Sequence, residues 1–197
     1  MDREHLATTA YFDKKFNCDA IRILPGEYYI STKNKLLMTV LGSCVSACIW
    51  DKKRGVGGLN HFMLPGKASA DFNKSARYGN YAMEILINHI IQLGGKREDL
   101  VAKVFGGGKV MHAFTALDIG KDNADFITNY LHNELIPILA SDLGDIYPRR
   151  ICFFPQTGKV MMRKLTDTYH RKIEKQEDNY FNKVNKTEIE GEIELFD

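Results

Sequence analysis

Cys44 and His61 are the residues of this 197-residue chain whose types and spacing suit nucleophilic chemistry. Cys44 follows a Gly42-Ser43 break at the end of the apolar run Leu36 to Leu41. A cysteine there stands at the edge of a rigid strand. The N–H groups around it, those of Gly42, Ser43 and Val45, are expected to lack a strand partner and to be free to hold an oxyanion. The bland alternative is a small packed residue, since free cysteine is among the most buried types. His61 bears on that choice. If Asp51 to Gly55 turns the chain back, Cys44 and His61 are equidistant from the midpoint between Lys52 and Lys53. They then face each other across a hairpin, or stand one pair apart if Gly55 makes a bulge. An imidazolium in that place lowers the thiol pKa, and the thiolate is the nucleophile. Thr39, near the end of the preceding strand, is the candidate to orient the histidine. Strand propensity accounts for a threonine there equally well.

Other residues with reactive side chains form weaker patterns. Cys48 shares strand parity with Cys44, but Cys44, Cys48 and His61 lack the second ligand pair of a structural zinc site, so no metal is expected. The run Gly106-Gly107-Gly108-Lys109 resembles a phosphate loop only superficially. Lys103 stands where that motif needs its first glycine, and Val110 where it needs Ser or Thr. The glycines are better read as tight turning or close backbone approach beside the site. His89 falls on the apolar stripe of a helix and reads as core. His112 follows the glycine run, where loop polarity explains it as well as a site does. His5, His132 and His170 join no constellation.

The elements that must position these groups follow from periodicity. Ile21 to Leu24 and Glu27 to Ser31 read as short strands around Pro25-Gly26. Leu36 to Leu41 reads as a buried strand. Val45 to Trp50 and Val56 to Leu64 read as a hairpin around Asp51 to Gly55. Tyr78 to Leu93 has apolar residues at i, i+3, i+4 spacing and ends at Gly94-Gly95, an amphipathic helix with a glycine stop. Ala102 to Phe105 is a strand leading into the glycine run. A second helix is capped by Asp122 or Asn123 and turns Phe126, Ile127, Tyr130, Leu131 and Leu135 inward, with Pro137 at its end. Ile151 to Phe154 and Lys159 to Arg163 flank a turn as a second hairpin. The expected architecture is α+β, a layered mixed or antiparallel sheet with hairpins packed by two main helices. Residues 1–20 read as a poorly specified leader, 21–165 as the catalytic domain, and 166–197 as a charged, mobile or partner-dependent extension.

Composition narrows the class. Formal net charge is +2, with 27 basic and 25 acidic residues, and 44% of residues are hydrophobic. That balance argues against a nucleic-acid partner. No apolar stretch reaches the roughly 18 residues of a membrane span, and the charged start is no signal peptide. Cys18, Cys44, Cys48 and Cys152 are irregularly spaced, as free thiols of a cytoplasmic protein would be.

The joint pattern resembles the chemoreceptor glutamine deamidase family, CheD. The segments that carry it are Leu41-Gly42-Ser43-Cys44-Val45 and Gly57-Gly58-Leu59-Asn60-His61-Phe62-Met63-Leu64-Pro65. Leu24-Pro25-Gly26-Glu27-Tyr28, Ala76-Arg77-Tyr78-Gly79, Lys103 to Gly108 and Phe154-Pro155-Gln156-Thr157-Gly158 add to it. The resemblance runs from about Arg22 to Leu165. It implies a mixed α/β layered fold and a cysteine amidohydrolase, with no cofactor, acting on glutamines of methyl-accepting chemotaxis receptors. It puts the nucleophile on Cys44, the histidine on His61 and the supporting threonine on Thr39. It also implies, for some members, a partnership with the chemotaxis phosphatase CheC. Two alternatives stay open at the level of sequence: hydrolysis of glutamyl methyl esters on the same receptors, and a non-catalytic module that modulates the phosphatase.

Overall fold

The computed structural model of the chain describes residues 5–65, 72–110, 118–165 and 167–186. His112 and the stretch Glu188 to Asp197 lie outside the described residues. The elements run β1 (Thr9–Asp13), β2 (Cys18–Arg22), β3 (Tyr28–Ser31), β4 (Leu36–Leu41), β5 (Val45–Asp51) and β6 (Val56–Asn60). Then come α1 (Phe72–Gln92), β7 (Leu100–Gly106), α2 (Ile119–Asn133), β8 (Ile138–Leu143), β9 (Arg149–Phe154), β10 (Lys159–Lys164) and α3 (Asp167–Lys186).

The class is α+β, and the strands form two mixed sheets rather than one. The first has the order β1-β2-β4-β9-β10 and the second β3-β6-β5-β7-β8. In the first, β2 and β4 run parallel; in the second, β7 and β8 do. Strand alternation builds the layers. On β4, Leu36 and Met38 pack on the outer face with Ala20 and Cys152, while Leu37 and Leu41 face inward. On β5, Val45, Ala47 and Ile49 face α1 and α2, while Cys48 and Trp50 face the other sheet. One core therefore lies between the sheets, and a second lies between the β5 sheet and the two helices. Thr39 shares the inward parity of Leu37 and Leu41 and is fully buried.

Several expectations shift. Residues 9–22, mostly within the expected leader, form a hairpin, β1 against β2. The strand β8 has weak strand character and was not foreseen; it is placed by pairing with β7. The cap of α2 is Asp118, whose carboxylate accepts from the Lys121 N–H, so Asn123 lies inside the helix. Leu135 is not on the inner face: it follows the helix at φ 56° and is 87% exposed. Leu93 is also exposed, while Met83, Leu86, Ile87 and Ile90 form the buried stripe of α1. The first part of the tail, expected to be mobile or partner-dependent, forms α3. Its stripe Ile173, Glu177, Phe181 and Val184 is buried.

The β5–β6 hairpin sets the register of the candidate site. Asp51 pairs with Val56, Cys48 with Leu59, and Val45 with Phe62. Lys52 to Gly55 make the turn, with Gly55 at φ 65° in the left-handed region that glycine favours. Cys44 and His61 thus stand diagonally across the Val45–Phe62 pair rather than opposite each other. Asp51 holds this turn. One carboxylate oxygen accepts from the N–H groups of Lys53 and Arg54, at 2.8 and 2.9 Å. The other accepts from the Lys96 N–H and the Arg54 guanidinium, both at 2.9 Å. Burial works to raise the Asp51 pKa, but the Lys96 N–H and the Arg54 and Lys53 donors outweigh it and hold it at about 2.

The folded pKa lies below the unfolded value, so this carboxylate contributes stability above about pH 4, and the contribution is lost as pH falls toward 2. Asp51→Asn is expected to cost about 1–3 kcal/mol at pH 7, the range for losing charge-assisted hydrogen bonds at a buried site. Urea unfolding at pH 7 and at pH 2.5 checks this. A gap between wild type and variant that does not shrink at the lower pH contradicts it.

Candidate active site

Between β4 and β5 the chain crosses from one sheet to the other, and Gly42, Ser43 and Cys44 are the crossing. Its three carbonyls are tied down. Gly42 O accepts from the Gly108 N–H at 2.7 Å, Cys44 O from the Gly107 N–H at 2.8 Å, and Ser43 O from the Asn123 side-chain amide at 2.9 Å. The glycine run therefore serves close backbone approach. A Cβ on Gly106 would sit 2.1 Å from Cys44 O, closer than any side chain tolerates. With the carbonyls held away, the N–H groups of Gly42, Ser43 and Cys44 converge on one point. Val45 does not join them, because its N–H donates to Phe62 O at 3.0 Å in the hairpin ladder. The anion cradle is thus Gly42, Ser43 and Cys44.

His61 follows β6 and enters the space between the sheets from the opposite side to Thr39. The Thr39 hydroxyl donates its one proton to Ile23 O at 2.8 Å. Toward His61 Nδ1, 2.7 Å away, it is left to accept. The imidazole is therefore protonated on Nδ1, and Nε2 carries the free lone pair. Nε2 is buried without a hydrogen-bond partner among the described residues. A ring nitrogen of His61, the Cys44 sulfur and a Glu177 carboxylate oxygen all lie within 4.8 Å of one another. Structure thus brings together Cys44, His61 and Thr39. It leaves Cys48 apart, buried in the core between the sheets, where burial pushes its thiol pKa up. His89 is half-buried on α1, 3.3 Å from the Tyr28 hydroxyl, away from the cluster.

Glu177 of α3 occupies the cradle. One oxygen accepts from the N–H groups of Gly42 at 2.8 Å and Cys44 at 3.2 Å. The other accepts from the Ser43 N–H and the Ser43 hydroxyl, both at 2.7 Å. Cys44, His61 and Glu177 have the chemistry of metal ligands, yet these four donors already fill the carboxylate's usual acceptor sites. The residues fit an anion cradle better than a cation site.

The electrostatics differ from a thiolate–imidazolium pair. Burial, reinforced by the nearby Glu177 carboxylate, pushes the Cys44 thiol well above its usual range. Burial likewise holds His61 down at about 3, against a smaller opposing pull from the Ile23 carbonyl. Both partners are neutral while α3 is docked. Cys44 is 0% exposed and His61 2%, so the sulfur meets neither solvent nor a macromolecule in this arrangement.

Sequence reasoning missed Asn123 and Glu177. In the sequence Asn123 reads as a helix cap, because capping is the common use of that residue type. Glu177 had a visible signal: a carboxylate in the middle of the helical stripe Ile173, Phe181, Val184, where an apolar residue is the rule.

Comparison with known proteins places the chain among similar sequences. Residues 63–164 match the family described as CheD chemotactic sensory transduction. A probable chemoreceptor glutamine deamidase CheD of Methylobacillus flagellatus is 51% identical, over 98% of this chain and 97% of its own. The one of a Janthinobacterium species is 49% identical, over 100% and 98%. That of Herminiimonas arsenicoxydans is 50% identical, over 98% and 97%. A solved structure, the hypothetical protein YfiH of Bacillus licheniformis, shares 13% identity and a TM-score of 0.39 over 60% of this chain and 49% of its own. Thr39, Cys44 and His61 lie ahead of the residues matched by the family, within the span shared with the full-length relatives.

Thr39→Val removes the acceptor that fixes the His61 tautomer and leaves a buried N–H unsatisfied. It is expected to destabilise the fold by about 1–3 kcal/mol, while Thr39→Ser is nearly neutral. Nitrogen-15 NMR of the wild type is expected to show a neutral, Nδ1-protonated His61 from pH 5 to 8, because its pKa is held at about 3. An imidazolium signal at pH 6 would contradict this account of the site.

Proposed function

The chain belongs to the CheD family, and on that premise we propose that it is a chemoreceptor glutamine deamidase, hydrolysing glutamine side chains of chemotaxis receptors to glutamate with release of ammonia. The observation that carries the assignment to residues is the convergence of Gly42, Ser43 and Cys44 N–H groups on a carboxylate, beside a histidine whose Nε2 has no hydrogen-bond partner among the described residues. A site that binds the product's functional group beside a nucleophile and a base suits amide hydrolysis.

The chemistry follows. His61 Nε2 takes the Cys44 proton as the sulfur attacks the carboxamide carbon. The oxyanion that forms accepts hydrogen bonds from the cradle. Collapse of the tetrahedral intermediate breaks the C–N bond, and His61 returns the proton to the departing nitrogen, which leaves as ammonia. Water, deprotonated by His61, then attacks the thioester. Glutamate and the Cys44 thiol are released. Thr39 is a positioning residue whose bond to Nδ1 leaves Nε2 as the nitrogen available to the sulfur. No step calls for a cofactor.

The receptors' cytoplasmic domains are the proposed substrates and the cytoplasm the proposed compartment. No described helix is long and apolar enough to cross a membrane, and the four cysteines are free. The chemotaxis phosphatase CheC is proposed as a further partner.

Incubation of a purified receptor cytoplasmic fragment with the protein is expected to add about one mass unit per modified glutamine, as exchange of carboxamide for carboxylate requires. Cys44→Ala is expected to abolish the change, and His61→Ala to slow it by at least about a hundredfold, the usual scale of general acid–base catalysis. Ammonia release that persists at the wild-type rate in Cys44→Ala sinks the assignment.

A further inference from the structure

We propose that α3 is a tethered product analogue: Glu177 sits where the glutamate product's carboxylate would sit, and the helix closes the site until a substrate segment displaces it. The proposal rests on the deamidase reading above. Three observations carry it.

The first is the match of chemistry. The side chain in the cradle is that of the reaction's own product, and it is 1% exposed. A carboxylate is almost never buried so deeply unless its charge is met by dedicated donors. Here three backbone N–H groups and the Ser43 hydroxyl meet it.

The second is closure. Cys44 and Thr39 are fully buried and His61 is 2% exposed, so a glutamine on another protein cannot reach the sulfur while α3 is in place. The helix lies against the crossing turn. A Cβ on Gly42 would come within 2.7 Å of Glu177 Oε2, and one on Gly26 within 2.9 Å of the Tyr180 hydroxyl. Tyr180 also meets the Tyr78 hydroxyl of α1. Chain closure at Gly26, Gly42 and Tyr78 thus follows the line of α3.

The third is a built-in weakness. Glu174, Glu177 and Asp178 crowd one stretch of the helix. Burial and the charges of Glu174 and Glu177 push the Asp178 pKa up, and its Oδ1 is buried without a hydrogen-bond partner among the described residues. The docked helix is therefore held by the cradle and opposed by the cost of burying an Asp178 oxygen that no described residue meets. Beside it runs a groove that reaches His61 and is lined by Arg22, Arg150, Arg163 and Lys172. Such a surface suits an incoming segment with acidic residues around its target glutamine.

The test uses the full-length chain. Cys44 alkylation by iodoacetamide, localised by peptide mass spectrometry, is compared in wild type, Glu177→Ala and Glu177→Gln, with circular dichroism to confirm folding. Glu177→Ala is expected to alkylate at least tenfold faster than wild type. Glu177→Gln is isosteric and serves if the alanine variant aggregates. It is expected either to alkylate faster or, if its helix stays docked, to gain about one mass unit at position 177 in a manner that Cys44→Ala abolishes. Folded variants that alkylate no faster than wild type, with the amide at position 177 intact, overturn the proposal. A receptor-fragment assay separates it from the functional reading. If Glu177→Ala alkylates faster but neither protein releases ammonia, closure by α3 stands and the receptor assignment falls. If wild type and variant release ammonia equally and alkylate equally, the assignment stands and closure falls.

Discussion

Everything chemical in this molecule depends on how the chain is held where it passes from one sheet to the other. At Gly42-Ser43-Cys44 each carbonyl is claimed from behind, by Gly108, Asn123 and Gly107, and each N–H is turned to the front. Backbone groups without partners are costly in a buried place, so three of them are kept only where something fills them. The crossing therefore acts as a fixed positive site. It is built from elements far apart in sequence: the end of β4, the glycine run after β7 and the side of α2. Its stiffness matters because an oxyanion site helps only if its donors need no rearrangement when charge appears.

The second dependence is on the gap between the sheets. Thr39 reaches into it from β4 and His61 from the end of β6, and Ile23 supplies the acceptor that decides the imidazole tautomer. A single hydroxyl proton sets the direction of the whole chain of bonds. Because Thr39 must donate to a carbonyl, it can only accept from His61, and the free lone pair falls on Nε2.

Burial gives this arrangement order and also silences it. In the closed state the thiol and the imidazole are both neutral, since low polarity disfavours each charged form and Glu177 adds a like charge near the sulfur. The same cradle that would stabilise a developing negative charge is satisfied by a carboxylate already present. On the proposed mechanism, reactivity is tied to the position of one helix rather than to the intrinsic acidity of one cysteine.

The sequence by itself determined the strands that carry the site and the identity of its first residues. Leu36 to Leu41 and the hairpin around Asp51 to Gly55 were legible because apolar runs and turn residues act locally, and the joint motif around Cys44 and His61 marked the family. Thr39 stands out by proximity and by the resemblance, and its hydroxyl lies 2.7 Å from His61 Nδ1. Tertiary structure decided what local patterns do not encode. It put β4 and β5 in different sheets, shifted the hairpin so that Cys44 and His61 meet diagonally, and withdrew the Val45 N–H into the ladder. It also brought Asn123 and Glu177 to the crossing from 80 and 134 residues away, measured from Ser43. A carboxylate in an apolar helical stripe says only that something polar waits beneath it. Which N–H groups those are depends on which parts of the chain the two sheets bring together, and that is a property of packing, not of spacing.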